Sequence, residues 1–144
     1  QHKHGIKIWC ANDSQNFYLH NAKIYAGRGN DEETSTPEKT VLNLTTNLRY
    51  SGRTFTMDNF FTSIPLAEKL LAERTYVVGT IRPKRYAIPN DFVDDEASSC
   101  IYHENLSLTK FQTKKEKRIF LLWTKHSRLM ECDPENGQET GTRI

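Results

Sequence analysis

With 144 residues, of which 36% are apolar and 26% charged, the chain has room for one domain with a hydrophobic core and too little for two to be argued. Its 20 Lys and Arg against 18 Asp and Glu leave a net charge of +2, so overall charge alone does not point to a polyanionic partner. No run approaches the ~18 apolar residues that span a bilayer, no apolar signal-peptide core follows the opening QHKHGIKIW, and a mean hydropathy of −0.71 implies exposed loops. A soluble, intracellular chain without a membrane partner is expected.

Cys10, Cys100 and Cys132 are widely spaced, with no CxxC pair, which suggests free thiols rather than a disulfide framework. His2, His4, His20, His103 and His126 form no zinc pattern; the His2-x-His4 pair lies at a terminus and is a weak metal signal.

In chain order, Gly5–Cys10 (GIKIWC) reads as a strand stopped by Asn12-Asp13-Ser14, a turn signal because Asx side chains bond their own backbone. Phe17–Tyr25 reads as its hairpin partner, followed by Ala26-Gly27-Arg28-Gly29-Asn30 and the acidic Asp31-Glu32-Glu33. Thr36-Pro37-Glu38 combines a hydroxyl cap, a first-turn proline and an acid at the positive end of the helix dipole. Val41, Leu44, Thr45 and Leu48 extend that helix over 37–49, with Ser51-Gly52 ending it. Thr54–Met57 is a short strand running directly into Asp58, and a second helix starts near Ser63 with Pro65 in its first turn. Its Leu66, Ala67, Leu70 and Leu71 share one face, and Tyr76–Ile81 is the next strand. This strand, strand, helix, strand, helix, strand order predicts a sheet covered by helices. Residues 83–100, rich in Pro, Asp and Ser, read as a linker. Strands near 106–112 and 118–124 then suggest the hairpin of a separate subdomain, and Asp133–Gly137 reads as a turn before a disordered tail.

Thr54–Leu70 (TFTMDNFFTSIPLAEKL), Val78-Gly79-Thr80-Ile81-Arg82 and Ile88-Pro89, in that order, resemble the piggyBac transposase family. His4-Gly5-Ile6-Lys7, Tyr25–Gly29 and Lys117–Thr124 (KRIFLLWT) extend the resemblance over roughly residues 3–137. It implies an α/β fold: an incomplete RNase H-like (DDE/DDD transposase) core over 1–85, then part of an inserted β-rich subdomain and a tail over 86–144.

The family's chemistry uses three acidic residues holding two divalent ions. In-line cleavage of a phosphodiester needs one ion to activate the attacking oxygen and one to stabilise the leaving oxygen, about 4 Å apart. Hard carboxylate oxygens suit Mg²⁺ or Mn²⁺. The resemblance places Asp58 at the middle acid, as a catalytic metal ligand on a rigid strand end; Asn59 beside it orients a ligand or phosphate, or caps the turn. The first acid of the family would fall before Gln1 and the third beyond Ile144. One carboxylate cannot hold two ions, so this chain alone is expected to bind no metal stably and to leave DNA uncut, with an uncovered sheet edge favouring aggregation.

Each residue also has a structural reading. Asp58 can be an Asx turn leaving a strand, and Asp13 is a decoy in a hairpin turn where Asp is expected anyway. Asp94, Asp95 and Glu96 form a charge run in a loop. Arg82, Lys84 and Arg85, and separately Lys114, Lys115, Lys117 and Arg118, are candidate DNA-phosphate contacts or ordinary surface cations. Phe60, Phe61, Phe120 and Trp123 are core aromatics before they are base-stacking platforms.

These readings converge on a fragment or derivative of a nuclear cut-and-paste transposase. In an intact relative, a hydrolytic cut frees a 3′-hydroxyl, a hairpin forms, and the end joins a TTAA target. Its partners would be DNA and, as an open question, a second copy of the enzyme. The alternatives are a domesticated, non-catalytic DNA-binding or protein-interaction module, and an unrelated α/β domain.

Overall fold

The computed structural model describes residues 5–25, 36–94, 98–114 and 117–125, with 113 and 114 described by backbone alone. His2, His4, the 26–33 turn and acidic run, Asp95, Glu96, Lys115, His126, Cys132 and the Asp133–Gly137 turn lie outside the described residues. Two compact units divide between Leu48 and Arg49.

The first unit contains β1 (Lys7–Asn12), β2 (Leu19–Tyr25) and α1 (Pro37–Leu44). β1 and β2 form the expected antiparallel hairpin, with Ile8 opposite Ile24 and Cys10 opposite Ala22. Its turn is built by Asx side chains: Asp13 Oδ1 accepts from the amides of Gln15 (2.8 Å) and Asn16 (3.1 Å), and Asn16 Oδ1 accepts from Tyr18 N. Thr36 caps α1 by accepting from Lys39 N, with Pro37 in the first turn. The Asn21 side chain donates to the last-turn carbonyls of Asn43 and Leu44, tying the helix to β2. α1 is shorter than the 37–49 expected. The Thr45 hydroxyl turns back to Val41 O (2.8 Å), and that of Thr46 to Leu42 O and Asn43 O. Hydroxyls that compete in this way for backbone groups favour a helix end over another turn.

The second unit contains β3 (Thr54–Met57), α2 (Ile64–Ala72), β4 (Tyr76–Ile81), α3 (Asn90–Asp94), β5 (Ser99–His103), β6 (Leu106–Lys114) and β7 (Lys117–Trp123). β3 and β4 run parallel through the α2 crossover, and the sheet continues antiparallel in the order β3-β4-β7-β6-β5. Ser63 caps α2, accepting from Leu66 N, and Leu66, Ala67 and Leu70 are fully buried on the helix face that packs against β4. Val77 and Ile81 alternate into the core from β4; Leu106, Leu108, Phe120 and Leu122 supply it from β6 and β7. At the opposite end, Arg49 and Glu73 form a two-pronged ion pair (2.7 and 2.8 Å) joining the entry to β3 with the exit of α2.

Among the described residues, β1 and β2 form a two-stranded sheet. The structure corrects two sequence expectations, one on the stretch after β4 and one on the hairpin that follows it. The stretch read as a linker over 83–100 contains α3 and the start of β5. The 106–124 hairpin is present but not separate, because β7 pairs directly with β4. The Thr124 hydroxyl accepts from Val77 N, 47 residues away, fastening the two parts.

Candidate functional site

Among the described residues β3 is an edge strand, and its last residue, Met57, lies opposite Gly79 of β4 in parallel register. Asp58 therefore leaves the sheet at the end towards which β4 also runs. It is exposed, and the turn after it is closely bonded. Asp58 Oδ1 accepts from Phe60 N (3.0 Å), and Asp58 O accepts from Phe61 N (3.2 Å), Thr62 N (3.1 Å) and the Thr62 hydroxyl (2.8 Å). The Asx turn and an exposed strand-end carboxylate are thus the same object.

The segment after β4 turns back onto this turn. Arg82 Nε donates to Asn59 Oδ1 (3.2 Å), and Arg85 Nη2 donates to Phe60 O (2.7 Å). Two guanidinium groups therefore lie beside the residues immediately following Asp58. Asn59 is engaged by Arg82, so its role here is to link the two strand ends. Phe60 and Phe61 meet edge to face at 5.0 Å, each half-buried.

Antiparallel register places the other basic group at the same end of the sheet. Ile81 pairs with Phe120, so Lys117 and Arg118, which open β7, lie beyond the end of β4; Lys114 pairs with Lys117. Arg82, Lys84, Lys117 and Arg118 are exposed and Arg85 is half-buried. Not all of this charge faces solvent alone: Arg118 Nη1 donates to Val93 O (2.6 Å) at the end of α3. Asp13, by contrast, occupies the hairpin turn of the first unit, with its carboxylate on two turn amides. Asp94 closes α3 and is exposed, Phe120 is core, and Trp123 is half-buried.

Among the described residues, no three His, Cys, Asp or Glu side chains come together as a metal-ligand group. Asp58 fits the requirement for one hard oxygen donor of a divalent ion but does not complete a site.

The family described as Transposase IS4 matches residues 1–144. The chain belongs to this transposase family. It is also similar to the piggyBac transposase in a cryo-EM structure of its synaptic complex with hairpin DNA: the TM-score is 0.79 and the identity 31%, over 94% of this chain. The chain spans 30% of the length of that protein. The resemblance carried by TFTMDNFFTSIPLAEKL and VGTIR is thereby borne out, on a mixed α/β fold. No helix among the described residues of this transposase-family chain is long and apolar enough to cross a membrane.

Two further features of the site carry no local sequence signal. Thr62 is a fully buried polar residue in the turn, and Gly79 is the strand residue beneath it. Both sit within the family motifs, but spacing alone does not reveal that they touch.

Proposed function

We propose that the chain is part of the strand-cutting region of a piggyBac-type cut-and-paste transposase, or a sequence derived from one. Its second unit would contribute to an RNase H-like core. In the longer protein, Asp58 would be one of three carboxylates holding Mg²⁺ or Mn²⁺, acting on DNA at TTAA sites in the nucleus.

The observation supporting this reading is the convergence at one end of a sheet. Asp58 leaves β3 there, Arg82 and Arg85 brace the turn that follows it, and Lys117 and Arg118 open β7 at the same end, on the far side of β4. A carboxylate amid cations suits a phosphodiester. The cations hold the flanking phosphates in a sequence-independent and salt-dependent way, while the carboxylate contributes a metal oxygen.

The test is duplex-DNA binding by the 144-residue chain as salt is varied. Lys84→Ala and Lys117→Ala should each weaken binding and flatten the log–log salt slope by about one. Arg53→Ala removes an exposed cation at the opposite end of β3 and should leave both unchanged. Equal losses in all three variants, or affinity that ignores salt, would sink the assignment of this sheet end to DNA.

A further inference from the structure

We infer that Thr62, seated in the space left by Gly79, is a positioning residue for the Asp58 carboxylate; its use for metal binding rests on the reading of Asp58 as a ligand. An exposed aspartate at the end of a four-residue edge strand would ordinarily sample several side-chain rotamers. Here Oδ1 is held by Phe60 N, and that amide points at the carboxylate only while residues 59–61 keep their turn.

The turn is closed at one atom. Three donors, Phe61 N, Thr62 N and the Thr62 hydroxyl, converge on the Asp58 carbonyl oxygen. The shortest of these bonds, 2.8 Å, comes from the hydroxyl, and Thr62 is 0% exposed. It reaches that place because residue 79 has no side chain. A Cβ at 79 would lie 2.6 Å from Met57 O and closer still to Thr62 Oγ1. Nothing in the φ of Gly79 requires glycine, so what the glycine provides is room. Gly79 is also the register partner of Met57, the residue before Asp58. A chain of direct contacts therefore leads from β4 through Thr62 to the Asp58 backbone, and from there through Phe60 N to the carboxylate.

A packing role and a positioning role for Thr62 make opposite predictions. Packing alone tolerates Thr62→Val, which keeps the volume, and penalises Thr62→Ser, which loses a methyl. Positioning tolerates Ser, which keeps the hydroxyl, and fails with Val.

Three-bond couplings about the Asp58 Cα–Cβ bond, measured by NMR on the isotope-labelled 144-residue chain, decide between them. The native chain and Thr62→Ser should show a single rotamer. Thr62→Val should show averaged couplings and about tenfold faster hydrogen exchange at Phe60 N, the loss expected for one tie. Gly79→Ala should reproduce the Val result by displacing Thr62; if that variant does not fold, the Val and Ser pair still decides. A single rotamer retained in Thr62→Val, or averaging in Thr62→Ser, overturns the inference.

A separate arm adds Mn²⁺ to the native chain and to Asp58→Asn. Paramagnetic broadening centred on residues 58–62 that disappears in Asp58→Asn supports the ligand reading. Identical broadening in both removes the ligand reading, while the couplings still decide the role of Thr62.

Discussion

Arg74 shows how a single backbone angle can be set by its neighbours. α2 ends in a Schellman arrangement: Thr75 N donates to Leu70 O and Arg74 N to Leu71 O, both at 2.9 Å. The residue between must be left-handed, and Arg74 has φ +51° at a position that usually holds glycine. The strain is tolerated because the same turn is bonded to the segment entering β3. Tyr50 N donates to Glu73 O, Gly52 N to Arg74 O and Tyr76 N to Arg53 O. The Arg74 side chain is exposed, so Arg74→Gly removes the Cβ clash without opening a cavity. It should raise stability in urea denaturation by about 0.5–1 kcal/mol, part of the relief being cancelled by a more flexible unfolded chain. A lower midpoint would mean that the Arg74 side chain contributes more than its backbone costs. At this scale the sequence picked out a candidate position but not its support. Asp58 stood out through its flanking motif, whereas the partners of Arg82 and Arg85 lie 23 and 25 residues away and follow from no local pattern.

Among the elements, α3 was the one the sequence concealed most completely. Asn90–Asp94 has five residues, too few for a hydrophobic period to show, and it lies in a stretch whose Pro, Asp and Ser signal a loop. Tertiary contacts hold it. Phe92 packs edge to face on Phe120 at 6.1 Å, and Lys110, 0% exposed in the middle of β6, donates to Phe92 O at 2.8 Å with its ammonium 5.0 Å from the Phe92 ring. Arg118 donates to the next carbonyl, Val93 O. Two cations at the C-terminal carbonyls stand where a longer helix would favour positive charge. Lys110→Met keeps much of the length but removes the donor. Hydrogen exchange at Val93 N, which bonds Pro89 O, should accelerate about tenfold or more, as expected when a buried acceptor is left unmet. Unchanged protection there would show that Phe92 packing alone holds the helix. The legible elements were those with local punctuation: Asp13 at the hairpin, Thr36 and Ser63 at the helix starts, and the apolar alternation of β4.

At the scale of the molecule, strand pairing leaves no local trace in the sequence. The composition shift after Arg82 is real, yet Val78 pairs with Trp123 and Ile81 with Phe120, so the later hairpin completes the sheet begun by β3 and β4. The first unit, by contrast, has the clearest local signals and the smallest core. Among the described residues, its buried apolar side chains are Val41 and Leu44, while Ile6 (80% exposed), Ile8, Ile24 (65%), Phe17, Tyr18 and Leu19 are exposed. A two-stranded hairpin and an eight-residue helix are each marginal on their own. The second unit has a five-stranded sheet, a fully buried helix face and the Arg49–Glu73 pair within its own limits. Expressed separately, Arg49–Ile144 should therefore unfold cooperatively, with coincident far-ultraviolet circular dichroism and tryptophan fluorescence transitions. Gln1–Leu48 should show no cooperative transition and should associate through its exposed apolar residues as concentration rises. A cooperative melt from Gln1–Leu48, or a featureless one from Arg49–Ile144, would reverse this ranking. The ranking also bears on function, since Asp58, Thr62, Gly79 and both basic groups all lie in the unit expected to stand alone.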